Sequence, residues 1–430
     1  MTVQVKKEFT MRHAGNDVLL VEDSKAVATL LRASINALQG ISCSHASTLA
    51  EAKTLLEDDS DRFFVAVLDL NLPDAPNGEV VDLVQEYGIP VVVLTGSVDA
   101  KHREAMLKKN IADYVSKANL SGLGTVVRLL ERMRANREQK ILVVDDSATF
   151  RSYLEALLHN HGYQTLAAKN GEEGVAMLQA NAEINLVLTD YNMPEMDGLA
   201  MIDVMRRTRS ADDLAIIGLS TVSEKGILPR FLKSGANDFL TKPFETEELY
   251  CRIDQNIDML HYIAEARDAA NRDFLTKLYN RRYFFEYASP VHAKAQKGEL
   301  RILLSMIDAD HFKNINDTHG HQTGDDALIS MAETLRNAVG DGGVLARFGG
   351  EEFVCLQILD DADEPEVCLE TLRAAVEAIQ LKTSEGEAVP ITVSIGSTLD
   401  PLDDLDKMLG AADEGVYQAK ERGRNCFVVV

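Results

Sequence analysis

The stretch "ILVVDDSATFRSYLEALLHNHG" (141–162) passes from a short, continuous apolar run, through two adjacent acids, into a helical pattern that ends on a glycine. A β-branched run without polar alternation marks a strand buried on both faces, as in a parallel sheet. The glycine stops the helix that covers it. The same order of signals occurs upstream. The first copy reads "VLLVED" (18–23), "VAVLDLNLPD" (65–74), "VVVLTG" (91–96) and "ADYVSK" (112–117). The second continues from "ILVVDD" with "LVLTDYNMPE" (186–195), "IIGLST" (216–221) and "NDFLTK" (237–242). Strands alternating with helices predict a doubly wound α/β sheet, made twice.

Polar residues fall at the carboxyl ends of these runs, where such sheets bind ligands. They are Glu22, Asp23, Asp69, Thr95 and Lys117 in the first copy, and Asp145, Asp146, Asp190, Ser220 and Lys242 in the second. Clustered carboxylates with one lysine and one hydroxyl suit Mg²⁺, a hard cation that prefers oxygen ligands. One carboxylate can then act as a covalent nucleophile toward a phosphoryl donor. These residues resemble response-regulator receiver domains. The resemblance implies that Asp69 and Asp190 are phosphoacceptors. Glu22, Asp23 and Asn71, and Asp145, Asp146 and Asn192, complete the two metal sets. Thr95 and Ser220 are the switch hydroxyls, Lys117 and Lys242 the lysines, and Tyr114 and Phe239 the aromatics that rotate on activation. The first copy departs from the pattern at Ala118 and in "PDAPNG", which leaves open that one copy serves only as a dimerisation scaffold.

From Glu245 to about Asn271 the pattern predicts one helix without Pro or Gly. Leu249, Ile253, Asn256, Leu260, Ile263, Arg267 and Ala270 recur at alternating steps of four and three. Such a seam fits a short coiled coil with Asn256 fixing register, and equally one amphipathic helix packed on its own domain.

Beyond Asp273 the rhythm changes. "RILLSMIDAD" (301–310) is a strand running into acids, and "VLARFGGEEFVCLQI" (344–358) is a hairpin around two glycines. Helices and hairpin predict an α+β, ferredoxin-like layer. The hairpin brings Glu351 toward Asp308 and Asp310, while Gly349 and Gly350 permit a tight turn and leave room for a bulky ligand. Carboxylates from two strands around open space suit a divalent ion and a metal-bound nucleotide. "FKNIND" supplies Lys313 and Asn316, and "GHQTGDD" supplies Asp325. An ionised carboxylate only accepts hydrogen bonds, so it suits the N1–N2 donor edge of guanine. Lys420 and Arg424, read as one helical turn apart, reach for phosphates. Asp273 and Arg281 read as a structural ion pair.

Taken together, "DFLTKLYNRR" (273–282), "DADHFKNINDTHGHQTGDD" (308–326), "RFGGEEF" (347–353) and "ADEGVYQAKERGRN" (412–425) resemble the GGDEF family of diguanylate cyclases. Glu351 stands where the family name has aspartate. The resemblance implies two GTP molecules, one per domain of a dimer, condensed into cyclic di-GMP and pyrophosphate. It implies that Asp308, Glu351 and the Ala309 carbonyl hold Mg²⁺ or Mn²⁺. Asn316 and Asp325 read guanine, with Phe312, Gly349 and Gly350 around the substrate. Lys313, Lys420 and Arg424 stabilise phosphate charge. Glu351 is also the candidate for activating the hydroxyl, and Glu352 orients the hairpin or serves a second metal. The family's Arg-x-x-Asp product-inhibition motif falls here on Gly340 and Gly343, which carry neither charge.

The expected organisation is a receiver domain at 15–135, a second at 138–260, a linker helix at 245–271 and the GGDEF domain at 272–430. That is two flavodoxin-like sheets followed by a nucleotidyl-cyclase-type α+β domain. A formal charge of −24 argues against nucleic acid as a partner. No apolar run spans a membrane, and "MTVQVKKEFTMRH" (1–13) lacks an apolar signal core, so a cytoplasmic protein is expected. The five cysteines lack metal-ligand spacing and read as free thiols. The expected partners are GTP, a sensor histidine kinase or phosphotransfer protein, and a second copy meeting through the receivers and linker helix. The competing reading is a silent GTP-binding scaffold or a phosphorelay adaptor.

Overall fold

The computed structural model describes residues 15–95, 111–117, 120–221, 227–360, 362–383 and 385–430. The stretch at 1–13, Gly96 and Ala118 lie outside them. Contacts separate a unit ending at Tyr262 from one beginning at Ile263. Among the described residues no helix is long and apolar enough to cross a membrane.

The first receiver runs β1 (Asp17–Val21), α1 (Lys25–Asn36), β2 (Ser42–Ala46), α2 (Leu49–Asp59), β3 (Phe63–Asp69), α3 (Glu79–Glu86), β4 (Val91–Thr95), β5 (Asp113–Ser116) and α4 (Leu120–Asn136). The second runs β6 (Lys140–Val144), α5 (Ala148–Asn160), β7 (Gln164–Ala168), α6 (Gly171–Ala180), β8 (Ile184–Asp190), α7 (Gly198–Arg206), β9 (Ala215–Thr221), α8 (Ile227–Lys233), β10 (Asp238–Lys242) and α9 (Thr246–Asn271). Their parallel sheets have the orders β2-β1-β3-β4-β5 and β7-β6-β8-β9-β10. The β1, β3 and β6 runs are buried or nearly so along their length, which explains why they lack alternation. Ser147, Asn170 and Asp197 cap α5, α6 and α7 by accepting from backbone N–H groups three residues on.

The linker helix divides into two halves. Leu249, Ile253 and Ile257 are at most 2% exposed and belong to the second receiver's core. Burying three such side chains stabilises by about 5–9 kcal/mol, an upper estimate. Asn256 donates to the Arg252 carbonyl of its own helix. The N-terminal half of the seam is therefore intradomain packing, and the coiled-coil reading is corrected there. Of the seam residues, half-buried Asn256 and the C-terminal Ile263, Arg267 and Ala270 lie outside that core.

The two receivers share a polar interface. Arg132 on α4 pairs with Asp254 (3.1 Å) and Asp258 on α9, and the Tyr163 hydroxyl donates to Asp254 (2.5 Å). His161 stacks on Tyr250 (3.4 Å between centroids), and its Nε2 meets the Ala112 carbonyl at 3.0 Å. Burial pushes the His161 imidazole down to about 4, against the pull of Asp254.

The second unit runs β11 (Tyr279–Asn280), α10 (Arg281–Gln296), β12 (Arg301–Ala309), α11 (Phe312–His319), α12 (His321–Val339), β13 (Gly343–Gly349), β14 (Glu352–Leu359), α13 (Pro365–Glu377), β15 (Leu381–Lys382), β16 (Ala388–Val389), β17 (Val393–Thr398), α14 (Leu405–Glu421) and β18 (Phe427–Val429). Its mixed sheet has the order β11-β13-β14-β12-β17-β18. One face packs on α11, α12 and α13 through Phe312, Met331, Leu335 and Leu372. The other packs on α10 and α14 through Phe284, Ala288, Met408 and Ala412. Helix α14 lies close on β17 because Gly396 and Gly415 meet there. A Cβ on Gly396 would stand 2.0 Å from the Ala412 carbonyl.

The His161 geometry generates a pH prediction. The folded state refuses a proton that the unfolded chain accepts between about pH 6.5 and 4, so receiver stability falls as pH drops through that window, by about 3 kcal/mol in full. Calorimetry of the whole chain from pH 7 to 5 should show the receiver transition moving down. His161→Phe keeps the stack and removes the titration, so its transition should be flatter with pH.

Candidate active site

Three carboxylate clusters lie at strand ends, each gripped by one lysine. In the first receiver Glu22 follows β1 and Asp69 ends β3. Lys117 bridges them, with Nζ 2.7 Å from Glu22 and 2.6 Å from Asp69. Ligand oxygens of Glu22, Asp23 and Asp69 lie within 4.8 Å of one another, an arrangement able to hold a cation. Burial raises the Glu22 carboxyl, with Lys117 opposing. The Asn71 N–H donates to Asp69. Thr95 ends β4 and Tyr114 is half-buried on β5, and the Lys117 N–H donates to the Thr95 carbonyl.

The second receiver repeats the layout. Lys242 bridges Asp145 (2.7 Å) and Asp190 (2.5 Å), and the Asn192 N–H donates to Asp190. Burial is the main cause raising the Asp190 carboxyl. Asp146 is exposed, Ser220 is buried at the end of β9, and Phe239 packs on Phe231.

In the second unit β12 carries Asp308, Ala309 and Asp310 at or beyond its carboxyl end. The antiparallel register sets Asp308 opposite Glu352, and the Ala309 N–H donates to the Glu351 carbonyl at 3.3 Å. The hairpin thus places Glu351 beside Asp308. Asp308 is 8% exposed and pairs with Lys420 at 2.8 Å. Burial raises its carboxyl, Lys420 opposes, and Glu351 and Asp310 add to the rise. Glu352 is raised for the same reasons, burial first and then Asp308, Asp413 and Glu351. One lysine does not balance this many acids. A hard-oxygen donor set with surplus negative charge fits a divalent ion such as Mg²⁺.

Open space surrounds the hairpin turn. Nothing stands within 4 Å of a Cβ on Gly349 or Gly350, and Gly350 takes φ +53°. Arg347 donates to the Gly350 carbonyl (2.9 and 2.7 Å) and pairs with Asp273 at 3.0 Å. The expected Asp273–Arg281 pair is corrected. Arg281 lies over the Phe348 ring, 4.4 Å from its centroid, because Asn280 caps α10 and sets Arg281 in its first turn. Burial alone would raise Asp273, but bonds from Thr276 and Arg347 hold it below the ordinary carboxylate range.

The base-reading candidates sit on the α11–α12 pair. Phe312 and Ile315 anchor α11 in the core, and Lys313 points to solvent. Asn316 lies against Gly324, where a Cβ would come within 2.0 Å of Asn316 Oδ1. Asp325 follows at once and is exposed on α12. Gly324 is thus a contact residue that the sequence reading left without a role.

Arg424 is a further correction. Helix α14 ends at Glu421 in a Schellman cap. The Arg424 N–H returns to the Ala419 carbonyl (3.1 Å) and the Gly423 N–H to Lys420 (3.4 Å), with Gly423 at φ +111°. Arg424 therefore stands beyond the helix, not one turn along it from Lys420.

Comparison with known proteins accords with this geometry. The response regulator receiver domain family matches residues 18–127 and 141–254. The family described as diguanylate cyclase, GGDEF domain, matches 270–426. Response regulator PleD of Caulobacter vibrioides is 26% identical over 96% of this chain and 98% of its own. Diguanylate cyclase DosC of Escherichia coli is 35% identical over 40% of this chain and 38% of its own. A solved two-component system response regulator/GGDEF domain protein aligns with TM-score 0.51 and 40% identity, covering 57% of this chain and 99% of its own.

The Gly324 contact can be tested. On the reading that Asn316 contacts the base of a GTP substrate, Gly324→Ala, which drives Asn316 Oδ1 out of place, should raise KM for GTP about tenfold, equivalent to about 1.4 kcal/mol. The thermal midpoint should move little, since the atom that must yield is a side-chain tip. Steady-state kinetics beside a melting curve checks both.

Proposed function

We propose that this chain, which belongs to the response regulators that join receiver domains to a GGDEF diguanylate cyclase domain, condenses two GTP into cyclic di-GMP and two pyrophosphates as a receiver-controlled homodimer. The observation that carries the reading is the convergence of Asp308, Glu351 and Lys420 beside the open turn at Gly349 and Gly350.

In this reading Asp308, Glu351 and the Ala309 carbonyl hold Mg²⁺ or Mn²⁺. The ion offsets charge on the triphosphate. Asn316 and Asp325 bind the guanine edge, beside Phe312. Lys313, Lys420 and Arg424 hold the phosphates. The 3′-hydroxyl oxygen of one GTP bonds to the α-phosphorus of the other, the α–β bridging P–O bond breaks, and pyrophosphate leaves with that electron pair. Glu351 accepts the hydroxyl proton. A second, reciprocal transfer closes the ring. Positioning and charge stabilisation do most of the work in such transfers.

A carboxylate oxygen of Asp69 or Asp190 bonds to the phosphorus of a phosphohistidine on a histidine kinase or phosphotransfer protein as the N–P bond breaks and the imidazole leaves, which puts a phosphate beside Lys117 or Lys242 and repacks the switch residues Thr95 and Tyr114 or Ser220 and Phe239. The first receiver reaches α9 through Arg132, and α9 leads into the cyclase. Leu228 (46% exposed), Leu232 (49%), Met259 (58%) and Tyr262 (66%) offer apolar surface to a second copy. The dimer then rests on the receivers and on the linker's C-terminal half.

Purified protein given GTP and Mg²⁺ should form cyclic di-GMP, identified by mass, and form more with beryllofluoride as phosphoryl mimic. Asp69→Asn with Asp190→Asn should abolish the rise, and Glu351→Gln should abolish product while the protein stays folded. GTP binding without product in any state would favour the silent scaffold.

The reading also holds that product does not inhibit through the usual motif. Gly340 and Gly343 line a cavity of about 240 Å³, where Arg272 and Arg336 already donate to the Lys277 and Thr276 carbonyls. Micromolar cyclic di-GMP should leave initial rates unchanged. A submicromolar inhibition constant mapped to 340–343 would contradict this.

A further inference from the structure

Arg424 stands past the end of its helix, so something other than the helix must aim it. Three successive residues take left-handed backbone: Gly423 at φ +111°, Arg424 at +67° and Asn425 at +48°. Glycine adopts this region freely and asparagine tolerates it, but arginine does so only when its surroundings impose it.

The surroundings are specific. The Asn425 N–H donates to Asp310 Oδ2 at 3.0 Å. Asp310 is 4% exposed and also accepts from the Thr392 hydroxyl (2.8 Å) and the Ser394 hydroxyl (2.7 Å), so its carboxylate is fixed on the sheet. It lies two residues beyond Asp308. The Asn425 side chain is held from the other side by α13. Arg373 donates to its Oδ1 (2.9 Å), and its Nδ2 donates to Glu377 (2.8 Å). Arg373 is itself locked by Glu370 (2.8 and 2.6 Å) and Glu377 (2.7 Å).

We propose that Asn425, clamped between Asp310 and Arg373, is a positioning residue that holds the left-handed turn and so aims Arg424 at the nucleotide phosphates. The clamp references both phosphate-side cations to one strand: Lys420 to Asp308, and Arg424 to Asp310 through Asn425. The proposal rests on the diguanylate cyclase reading and adds residues that do not touch the substrate.

A double-mutant cycle tests it. Asn425→Ala and Arg373→Gln, each in the full chain, should raise KM for GTP roughly three- to tenfold with a smaller change in kcat, the size of one coupled contact. In an Arg424→Ala background either substitution should add less than about twofold, because there is no longer an arginine to aim. Asn425→Gly takes the same backbone without strain and keeps the N–H bond to Asp310, so it should recover part of the loss seen in Asn425→Ala. Equal fold-changes in the presence and absence of Arg424 would overturn the proposal and leave a general structural role. If wild type binds GTP without turnover, the same cycle read on the Kd of GTP decides the matter. Wild type that neither binds nor converts GTP overturns the cyclase reading, and this inference with it.

Discussion

Repulsion between carboxylates, held in check by a single lysine, is the constraint that recurs in all three domains. Lys117 spans Glu22 and Asp69, Lys242 spans Asp145 and Asp190, and Lys420 grips Asp308. In a chain of formal charge −24 such clusters are expensive to gather. In each, one carboxyl (Glu22, Asp190 or Asp308) is raised by burial and opposed by its lysine. Each is therefore poised for something positive to enter or for something to change the charge count. In the reading proposed above, a divalent ion would do the first and phosphorylation the second, so that the same electrostatic poise would serve a switch in the receivers and a substrate site in the cyclase.

The scaffolds exist to bring those acids together. In the receivers, buried parallel strands deliver one carboxylate each to the same sheet edge, and the crossing helices keep water from the rest. In the cyclase an antiparallel hairpin does the job instead. The register that sets Asp308 opposite Glu352 puts Glu351 in the turn beyond it. A slip of one residue would move the acids to opposite faces. Arg347 ties that turn to Asp273, near the end of the linker helix, so the hairpin is braced from outside the sheet.

Much of this was legible in the sequence because short-range rules govern it. Apolar runs gave the strands, and acids at their ends gave the clusters. What was not legible depended on where helices stop and which partner wins. Spacing put Lys420 and Arg424 on one helix, since four residues make about a turn. Gly423 ends that helix with a Schellman cap, a stop signal that periodicity outvoted. Asp273 had two arginines within reach, and sequence proximity favoured Arg281. The fold gave it Arg347, seventy-four residues away, because β11 pairs with β13 beside it. The heptad pattern in α9 was real, but the first receptive surface it met was its own domain's core, where Leu249 and Ile253 are fully buried.

A helix committed to its own core over its first half cannot rotate freely. Arg132 adds a second input, gripping α9 from the first receiver at Asp254 and Asp258 in the middle of the helix. Both receivers thus hold one helix at different points along its length. In the reading proposed above, a change at Asp69 or Asp190 that moves α4 or β10 must shift that helix or break a bonded contact, and with its first half buried and its second half exposed, shifting it breaks fewer contacts.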